Sequence, residues 1–207
     1  MAEERQLDAV YAAKSVEEIA RTYDDWAESY DGEMARVGYR HPAICLALLA
    51  RHLPRAAGQV LDAGAGTGLI GEWLEILGFP NAEALDVSEG MLAVARRKAV
   101  YARLHRAALG QPRPFADGAF AAAVSAGVFT TGHVGAEGID ELLRVVRPGG
   151  VLVLTVKDKL WEAGFAARVE ELAGAGRLRV LEMTPSYVSM PGEPDTVPSR
   201  GVVLGVG

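Results

Sequence analysis

The stretch Val60-Leu-Asp-Ala-Gly-Ala-Gly-Thr-Gly-Leu-Ile-Gly71 decides the fold. It starts as an apolar run, becomes acidic at Asp62 and then passes through three closely spaced glycines. Apolar residues at helical spacing follow, so the pattern predicts a strand, a tight turn and a helix over 69–77. Glycines allow positive φ angles and let a ligand lie against bare backbone, and the helix start supplies free N–H groups. The stretch therefore predicts a site for a nucleotide-like ligand, against the simpler alternative of a glycine turn that binds nothing.

Two classes of ligand fit these glycines. The three glycines within 64–68 match the G-x-G-x-G loop of methyltransferases that use S-adenosylmethionine. The three within 66–71 match the G-x-G-x-x-G loop of dinucleotide enzymes, and Asp86 follows Gly66 by 20 residues, where an acid is expected on the ribose of NAD. Asp62 favours the first class. A carboxylate beside the turn would repel a pyrophosphate but attract the cationic amino group of a methionine moiety.

Composition limits the possible functions. The chain has 207 residues, of which half are apolar and 23% are charged, as is typical of a single globular domain. Its net charge of −6 disfavours a nucleic-acid backbone or an anionic membrane as a partner. Cys45 is the only cysteine and the four histidines lack metal-ligand spacing, so we expect neither a disulfide nor a bound metal. Without a signal-peptide pattern or a membrane-spanning apolar run, we expect a cytoplasmic monomer or homodimer.

Residues 1–57 precede the first strand and are predicted to form a helical lid. The segment Tyr23-Asp-Asp-Trp-Ala-Glu-Ser-Tyr-Asp31 puts Tyr23, Trp26 and Tyr30 on one helix face. These rings either face a ligand or only dock the helix onto the domain. Arg40 is equally suited to a ligand carboxylate and to the acids that precede it. Residues 58–207 are predicted to form the ligand-binding domain.

In residues 58–207, strands and helices alternate. Predicted strands after the first lie at 82–86, 104–109, 120–125, 151–156, 177–184 and 202–207, and predicted helices at 89–99, 136–146 and 160–173. The second strand ends on Asp86, at the carboxyl edge of the sheet where ligands bind in open α/β folds. Its carboxylate is able to accept both hydroxyls of a ribose, although a solvated turn residue is the plainer alternative.

Taken together, these pieces resemble a class I S-adenosylmethionine-dependent methyltransferase. The resemblance rests on the glycine turn, Leu85-Asp-Val-Ser88, Pro114-Phe-Ala-Asp-Gly118 and Arg147-Pro-Gly-Gly-Val-Leu152. The N-terminal aromatic segment further resembles the methyltransferase-like proteins of the Williams–Beuren region type. The resemblance implies a three-layer, Rossmann-like α/β fold with a seven-stranded sheet of order 3-2-1-4-5-7-6, in which the last strand is antiparallel.

The same resemblance implies roles for individual residues. Asp62 and Gly64 would lie at the methionine end of the cofactor, Asp86 on the ribose and Met91 beside the adenine. One departure concerns Ala108, which stands where many relatives have an aspartate that contacts the adenine amino group. The full set expected to bind S-adenosylmethionine, with S-adenosylhomocysteine as the product, is Tyr23, Tyr30, Arg40, Asp62, Gly64, Ala65, Gly66, Gly68, Leu69, Asp86, Val87, Met91, Leu109 and Ser125.

The expected reaction is in-line methyl transfer to a small-molecule acceptor. Phe129, Thr130 and Lys157 end the fourth and fifth strands and are expected to face that acceptor. His133 follows the fourth strand and is the candidate general base, although a lone histidine in a loop is more often structural. Two alternatives remain at this stage: an NAD-type oxidoreductase on a Rossmann fold and a non-catalytic module that binds S-adenosylmethionine.

Overall fold

Seven strands form one sheet in the part of the chain that the structure describes. The structure is a computed structural model and describes residues 10, 13, 15–110, 115–130, 134–193 and 196–207. The strands are β1 (Val60–Ala63), β2 (Glu83–Asp86), β3 (Arg103–Arg106), β4 (Phe120–Phe129), β5 (Val146–Lys157), β6 (Leu178–Met183) and β7 (Ser199–Val206). The helices are α1 (Val16–Val37), α2 (His41–His52), α3 (Gly71–Leu74), α4 (Glu89–Lys98), α5 (Gly138–Val145), α6 (Asp158–Leu160) and α7 (Ala166–Gly174), with a π-helical turn at Trp161–Phe165.

The order of the sheet is β3-β2-β1-β4-β5-β7-β6. Strand β1 pairs in parallel with both β2 and β4, and β7 runs antiparallel to β5 and β6. The predicted fold class and strand order are therefore confirmed. The strand order reverses between β1 and β4, and in doubly wound sheets this switch point leaves a crevice at the carboxyl ends of the strands.

Both faces of the sheet are covered, which produces three layers. One apolar core joins the sheet to α5 and α7 and includes Ile139, Leu142 and Val169. The other joins it to α2 and α3 and includes Leu49 and Leu74. Because residues 120–125 of β4 and 150–157 of β5 are buried, these parts are mostly apolar, as is typical of central parallel strands.

Helix α1 begins at a side-chain cap and ends at a glycine. Ser15 accepts a hydrogen bond from the Glu18 N–H group, as expected of an N-cap serine. Gly38 ends the helix in the left-handed conformation, with φ 69°. Helix α2 contributes Cys45 and Leu48 to the core on one face of the sheet. The division at residue 57 between lid and domain stays a prediction. Within the described residues, no helix combines the length and apolar character needed to cross a membrane.

Several element bounds differ from the sequence prediction. The predicted helix over 69–77 is regular only in α3, and Trp73 is 52% exposed, whereas Ile70, Leu74 and Leu77 pack against the core. Strand β4 continues four residues beyond the predicted end, to Phe129, because β5 continues beside it with a register shift. The helix predicted over 160–173 is interrupted by the π-helical turn, where Gly164 has φ 129°.

Candidate active site

A cleft opens at the carboxyl ends of β1, β2 and β4, beneath α1. We call it the main cleft. The space inside it, counting the open solvent at its mouth, is about 810 Å³. Its wall consists of Val16, Ile19, Tyr23, Tyr30, Tyr39, Gly64, Gly66, Leu85, Asp86, Val87, Met91, Ala107, Ala108, Leu109, Ala126, Gly127, Val128 and Val134.

The glycine turn brings bare backbone to this cleft. The N–H groups of Gly64 and Ala65 both donate to the Leu85 carbonyl, at 2.7 and 3.0 Å, which ties the turn to the end of β2. Gly64 has φ 83°, and a Cβ there would lie 2.2 Å from Cγ2 of Val128. Gly66 has φ 55°, and a Cβ there would meet no protein atom within 4 Å. Gly64 is thus required by packing, whereas Gly66 leaves open space in the cleft wall.

Asp86 presents an oriented carboxylate to the cleft. Its Oδ2 accepts the Gly66 N–H at 2.8 Å and its Oδ1 accepts the Ser88 N–H at 2.9 Å. Burial raises the pKa of this carboxyl, and the backbone N–H groups oppose that rise by stabilising the ionised form. Each oxygen of a carboxylate has a second lone pair. Asp86 is therefore suited to accept hydrogen bonds from two neighbouring hydroxyls of a ligand.

Asp62 is the third residue of β1; it lies behind the glycine turn and is 1% exposed. Its Oδ2 accepts a hydrogen bond from the Tyr101 hydroxyl at 2.5 Å, and its Oδ1 is buried without a partner among the described residues. Burial raises the pKa of Asp62 to about 7, although the Tyr101 bond acts in the opposite direction. A buried carboxylate oxygen without a partner is costly, so this group favours a cation beside it.

One end of the main cleft is apolar. Met91 and Leu85 are buried beneath it, and the segment 107–109, just past β3, forms its side. Ala108 lies in this wall and presents only a methyl group to the cleft. A flat ring would find apolar surface at this end.

Hydrogen bonds hold helix α1 over the cleft. Asp24 Oδ1 accepts from the Ser88 hydroxyl at 2.6 Å and from the Gly90 N–H at 2.8 Å, so an α1 side chain caps the start of α4. Asp31 accepts a hydrogen bond from the hydroxyl of Thr67 in the glycine turn. Lys98 forms a further ion pair with Asp31, at 2.6 Å. Helix α1, which forms the roof of the main cleft, is thus hydrogen-bonded to the glycine turn, which forms its floor.

A smaller cavity adjoins the main cleft, and we call it the inner chamber. The two cavities share Tyr23, Tyr30, Tyr39 and Gly127 as walls. The remaining walls of the inner chamber are Trp26, Met34, His41, Lys157, Ser189 and Met190. They come from α1, α2, β5 and the loop before β7, so residues far apart in sequence meet here.

His41 is held neutral in the inner chamber. Its Nδ1 is 2.7 Å from the Tyr187 hydroxyl. Burial, together with the charge of Lys157, lowers the pKa of His41 to about 3. Lys157 is also largely buried, and its Nζ donates to the Val197 carbonyl at 2.9 Å. Burial lowers the pKa of Lys157, opposed by the charge of Asp158.

The expected site residues separate into two groups. Those that the structure brings together around the main cleft are Tyr23, Tyr30, Gly64, Gly66, Asp86, Val87, Met91 and Leu109. Those that lie outside its wall are Arg40, Asp62, Ala65, Gly68, Leu69, Ser125, Phe129 and Thr130, while Lys157 lines the inner chamber. His133 lies outside the described residues.

Three of the residues outside the main-cleft wall have evident local partners. Arg40 is exposed and donates to the Val188 carbonyl at 3.4 Å. Ser125 is fully buried and donates to the Ala63 carbonyl at 2.7 Å, which joins β4 to β1. A Cβ at Gly68 would contact the Tyr101 ring, so that glycine serves the packing behind the turn. These contacts support the scaffold around the cleft.

Sequence reasoning missed the roles of Tyr39, His41 and Tyr187. Tyr39 lies against Gly127, where a Cβ would come 2.1 Å from the tyrosine hydroxyl. Only the aromatic, basic composition of Tyr39-Arg40-His41 at the start of α2 signalled this region.

Comparison with known proteins identifies the family. Residues 61–154 match the model of a methyltransferase domain. Over 188 residues, the chain is 36% identical to human methyltransferase-like protein 27. The alignment covers 88% of this chain and 76% of the relative. The chain belongs to the class I S-adenosylmethionine-dependent methyltransferases. This methyltransferase is also 32% identical over 203 residues to the demethylmenaquinone methyltransferase of a Parafrankia strain, covering 84% of this chain and 78% of the relative.

Solved structures agree on the fold. A Thermotoga maritima S-adenosylmethionine-dependent methyltransferase, described as a possible histamine N-methyltransferase, superposes with a TM-score of 0.61 at 16% identity, over 90% of this chain and 98% of that one. The [4+2]-cyclase SpnF superposes with a TM-score of 0.67 at 16% identity, over 94% and 98% of the two chains. SpnF is a cyclase by name, so likeness of fold does not define the reaction. The predicted enzyme class is confirmed by the sequence relatives.

Proposed function

We propose that this methyltransferase binds S-adenosylmethionine in the main cleft and methylates a small-molecule acceptor, releasing S-adenosylhomocysteine. The observation that carries the proposal is a pair of carboxylates on either side of a glycine turn, one buried and one half-buried. Asp62 has a buried oxygen without a partner, and Asp86 is aligned by two backbone N–H groups. A ligand with a cationic amino group and a ribose satisfies both.

The described residues fit this cofactor along the length of the cleft. Asp62 would attract the amino group of the methionine end, because a neighbouring cation restores the ionised form of a carboxyl whose pKa is raised. The open space at Gly66 would receive the ligand against bare backbone. Asp86 would accept the ribose hydroxyls, and Met91 with Leu109 would pack against the adenine. With Ala108 in the wall, the adenine amino group would need a backbone or water partner.

The chain's own contribution to the chemistry is mainly alignment. When bound, the cofactor supplies an electrophilic methyl group on a sulfonium, whose leaving group is neutral. Alignment of two reactants alone contributes up to roughly 7–11 kcal/mol to lowering a barrier. Tyr23 and Tyr30 wall both cavities, so they are placed to exclude water and to hold donor and acceptor in one orientation.

A small acceptor suits both the cavity and the charge of the protein. The inner chamber is confined between α1, α2 and β5, and the net charge of −6 disfavours a nucleic-acid acceptor. The name of the Parafrankia relative states demethylmenaquinone, a small molecule, as its acceptor.

The test is calorimetric titration of the full chain with S-adenosylmethionine, S-adenosylhomocysteine and NADH. We expect micromolar binding of both sulfur compounds and no heat from NADH. Release of S-adenosylhomocysteine is then followed by mass spectrometry over a panel of small acids, phenols and amines. Binding of NADH without binding of either sulfur compound would refute the proposal and favour a dinucleotide in the cleft.

A further inference from the structure

We propose that the inner chamber is the methyl-acceptor subsite and that it binds an anionic oxygen group of the acceptor through Lys157. The chemical class is a carboxylate or an ionised hydroxyl such as a phenolate. This inference rests on the proposed function, because it takes the main cleft as the cofactor site. It adds the place of the acceptor and the charge of the acceptor group.

The position of the chamber is the first argument. It meets the main cleft at Gly127 and Tyr39, next to the glycine turn and away from the apolar end formed by 107–109. The Ala63 carbonyl, next to Asp62, accepts a hydrogen bond from Ser125, two residues before Gly127, and a Cβ at Gly127 would meet Tyr39 and His41. Asp62 is therefore on the chamber side of the cleft. A methionine moiety beside Asp62 would bring its methyl group toward the chamber.

The charge of the chamber is the second argument. Lys157 is 8% exposed, and among the residues that the structure describes its ammonium has one hydrogen-bond acceptor, the Val197 carbonyl, for three N–H bonds. Among the described residues, no carboxylate lines the chamber. The neighbouring Asp158 is already engaged by Arg200 at 2.8 Å and by the Ser186 hydroxyl at 2.6 Å. A buried cation without a carboxylate in its cavity favours an anionic ligand there.

Two buried polar atoms supply the third argument. Trp26 Nε1 and Ser189 Oγ are buried without hydrogen-bond partners among the described residues, and both residues line the chamber. The indole N–H is only a donor, and a hydroxyl is able to donate. Buried polar atoms normally have partners, and exceptions frequently mark a place for a ligand or an ion. A carboxylate or phenolate oxygen is an acceptor for both groups.

His41 agrees with an acceptor that arrives ionised. The low pKa of this imidazole makes it a weak proton acceptor. An acceptor oxygen that has already lost its proton needs no general base. His41 is better suited to orient the acceptor, with its Nδ1 fixed toward Tyr187 at 2.7 Å.

The experiment measures probe binding to protein saturated with S-adenosylhomocysteine. Benzoate and benzamide have nearly the same shape and differ in charge, and 4-nitrophenol at pH 9 serves as the phenolate probe. Titrations are followed by ligand-observed NMR. We expect at least tenfold tighter binding of benzoate than of benzamide. The ratio of the affinities for benzoate and 4-nitrophenolate shows whether the chamber prefers a carboxylate or a phenolate. Equal binding of benzoate and benzamide, or no binding of any probe, would overturn the inference while leaving the proposed function intact.

Variants locate the anion. Lys157→Met is expected to weaken benzoate binding at least tenfold and to leave the affinity for S-adenosylhomocysteine within twofold. Lys159→Met is the matched control, since Lys159 is exposed and lies outside the chamber wall. Lys157→Arg keeps the positive charge and is expected to retain the preference for benzoate over benzamide. This variant tests the role of the charge even if Lys157→Met fails to fold. Unchanged benzoate binding in a folded Lys157→Met protein would refute the assignment. Failure of S-adenosylhomocysteine itself to bind would instead refute the proposed function, and the inference with it.

Discussion

The main cleft and the inner chamber share four wall residues but have opposite electrostatics. The main cleft has two carboxyl groups around its glycine turn, the buried Asp62 behind the turn and the half-buried Asp86 in the wall, and loss of hydration raises the pKa of both. The inner chamber contains Lys157, and burial lowers its pKa. In each cavity the buried charge is destabilised by its surroundings, so in each a ligand of the opposite charge is favoured.

This difference teaches how one fold can hold two unlike reactants together. A sulfonium compound with an amino group is cationic, and it fits the carboxylate side. The proposed acceptor is anionic, and it fits the lysine side. The boundary between the two is formed by Gly127 and by the tyrosines of 23–39, which carry no formal charge. Separation of the charges across this boundary keeps Lys157 from neutralising Asp62 or Asp86 directly.

The largest expected effect concerns the turn that forms the floor of the main cleft. Gly64→Ala places a methyl group 2.2 Å from Val128 Cγ2 at a φ of 83°. Strain and overpacking together are expected to lower the free energy of unfolding by roughly 2–4 kcal/mol. Chemical denaturation measures this loss. Gly66→Ala is the control, because its methyl group meets no protein atom; it should cost only about 1 kcal/mol while weakening cofactor binding. Equal destabilisation by the two variants would contradict this account.

Asp86 tests the carboxylate side of the comparison. Asp86→Ala removes the acceptor of two ribose hydroxyls and frees the Gly66 and Ser88 N–H groups. At roughly 1.5–3 kcal/mol for a charged hydrogen bond, we expect the affinity for S-adenosylhomocysteine to fall by about 10- to 150-fold in calorimetry. Asp117→Ala is the matched control, since that carboxylate is exposed and pairs with Arg144 away from the cleft. A change of less than threefold in Asp86→Ala would exclude the ribose role.

Asp62 gives a prediction in pH. Its pKa is raised to about 7 in the folded chain from 3.8, so the folded state prefers the protonated acid. Its contribution to stability is therefore lost as the pH rises from about 4 to about 7. Asp62→Asn does not titrate and is expected to be more stable than the wild type at pH 8 by roughly 1–3 kcal/mol, with a smaller difference at pH 5. Denaturation at the two pH values measures this. A stabilisation that does not depend on pH would show that burial of the charge is not the cause.

The smallest expected effect concerns the hydrogen bonds that attach helix α1 to the start of α4. Asp24→Ala removes the hydrogen bonds to Ser88 and Gly90, and with them a side-chain cap on α4. We expect a loss of about 0.5–2 kcal/mol in stability and faster dissociation of S-adenosylhomocysteine in stopped-flow measurements. Asp25→Ala, one residue along the same helix, is the control. Unchanged dissociation in the Asp24 variant would show that α1 does not control ligand exchange.

The main cleft was largely predictable because its key residues belong to local sequence patterns. The glycine turn of 60–71 and Asp86 at the end of β2 follow from strand-end geometry, and eight of the expected cofactor residues line the cleft. The inner chamber was not predictable in this way. Trp26, His41, Lys157 and Ser189 lie on four separate segments, and only the tertiary fold brings them together. Asp62 shows a related limit: its motif pointed to a cation, but its unpartnered oxygen and its bond to Tyr101 depend on burial behind the turn.

Tyr23 and Tyr30 lie on one helix and face both cavities. If both ligands bind as proposed, each would fix side chains that the other also has to contact, and the conformational freedom lost at the first binding step would not be lost again at the second. The two binding events would then be thermodynamically linked, and the factor by which one ligand changes the affinity for the other would be the same in both directions. Helix α1 would be the element that couples the two cavities.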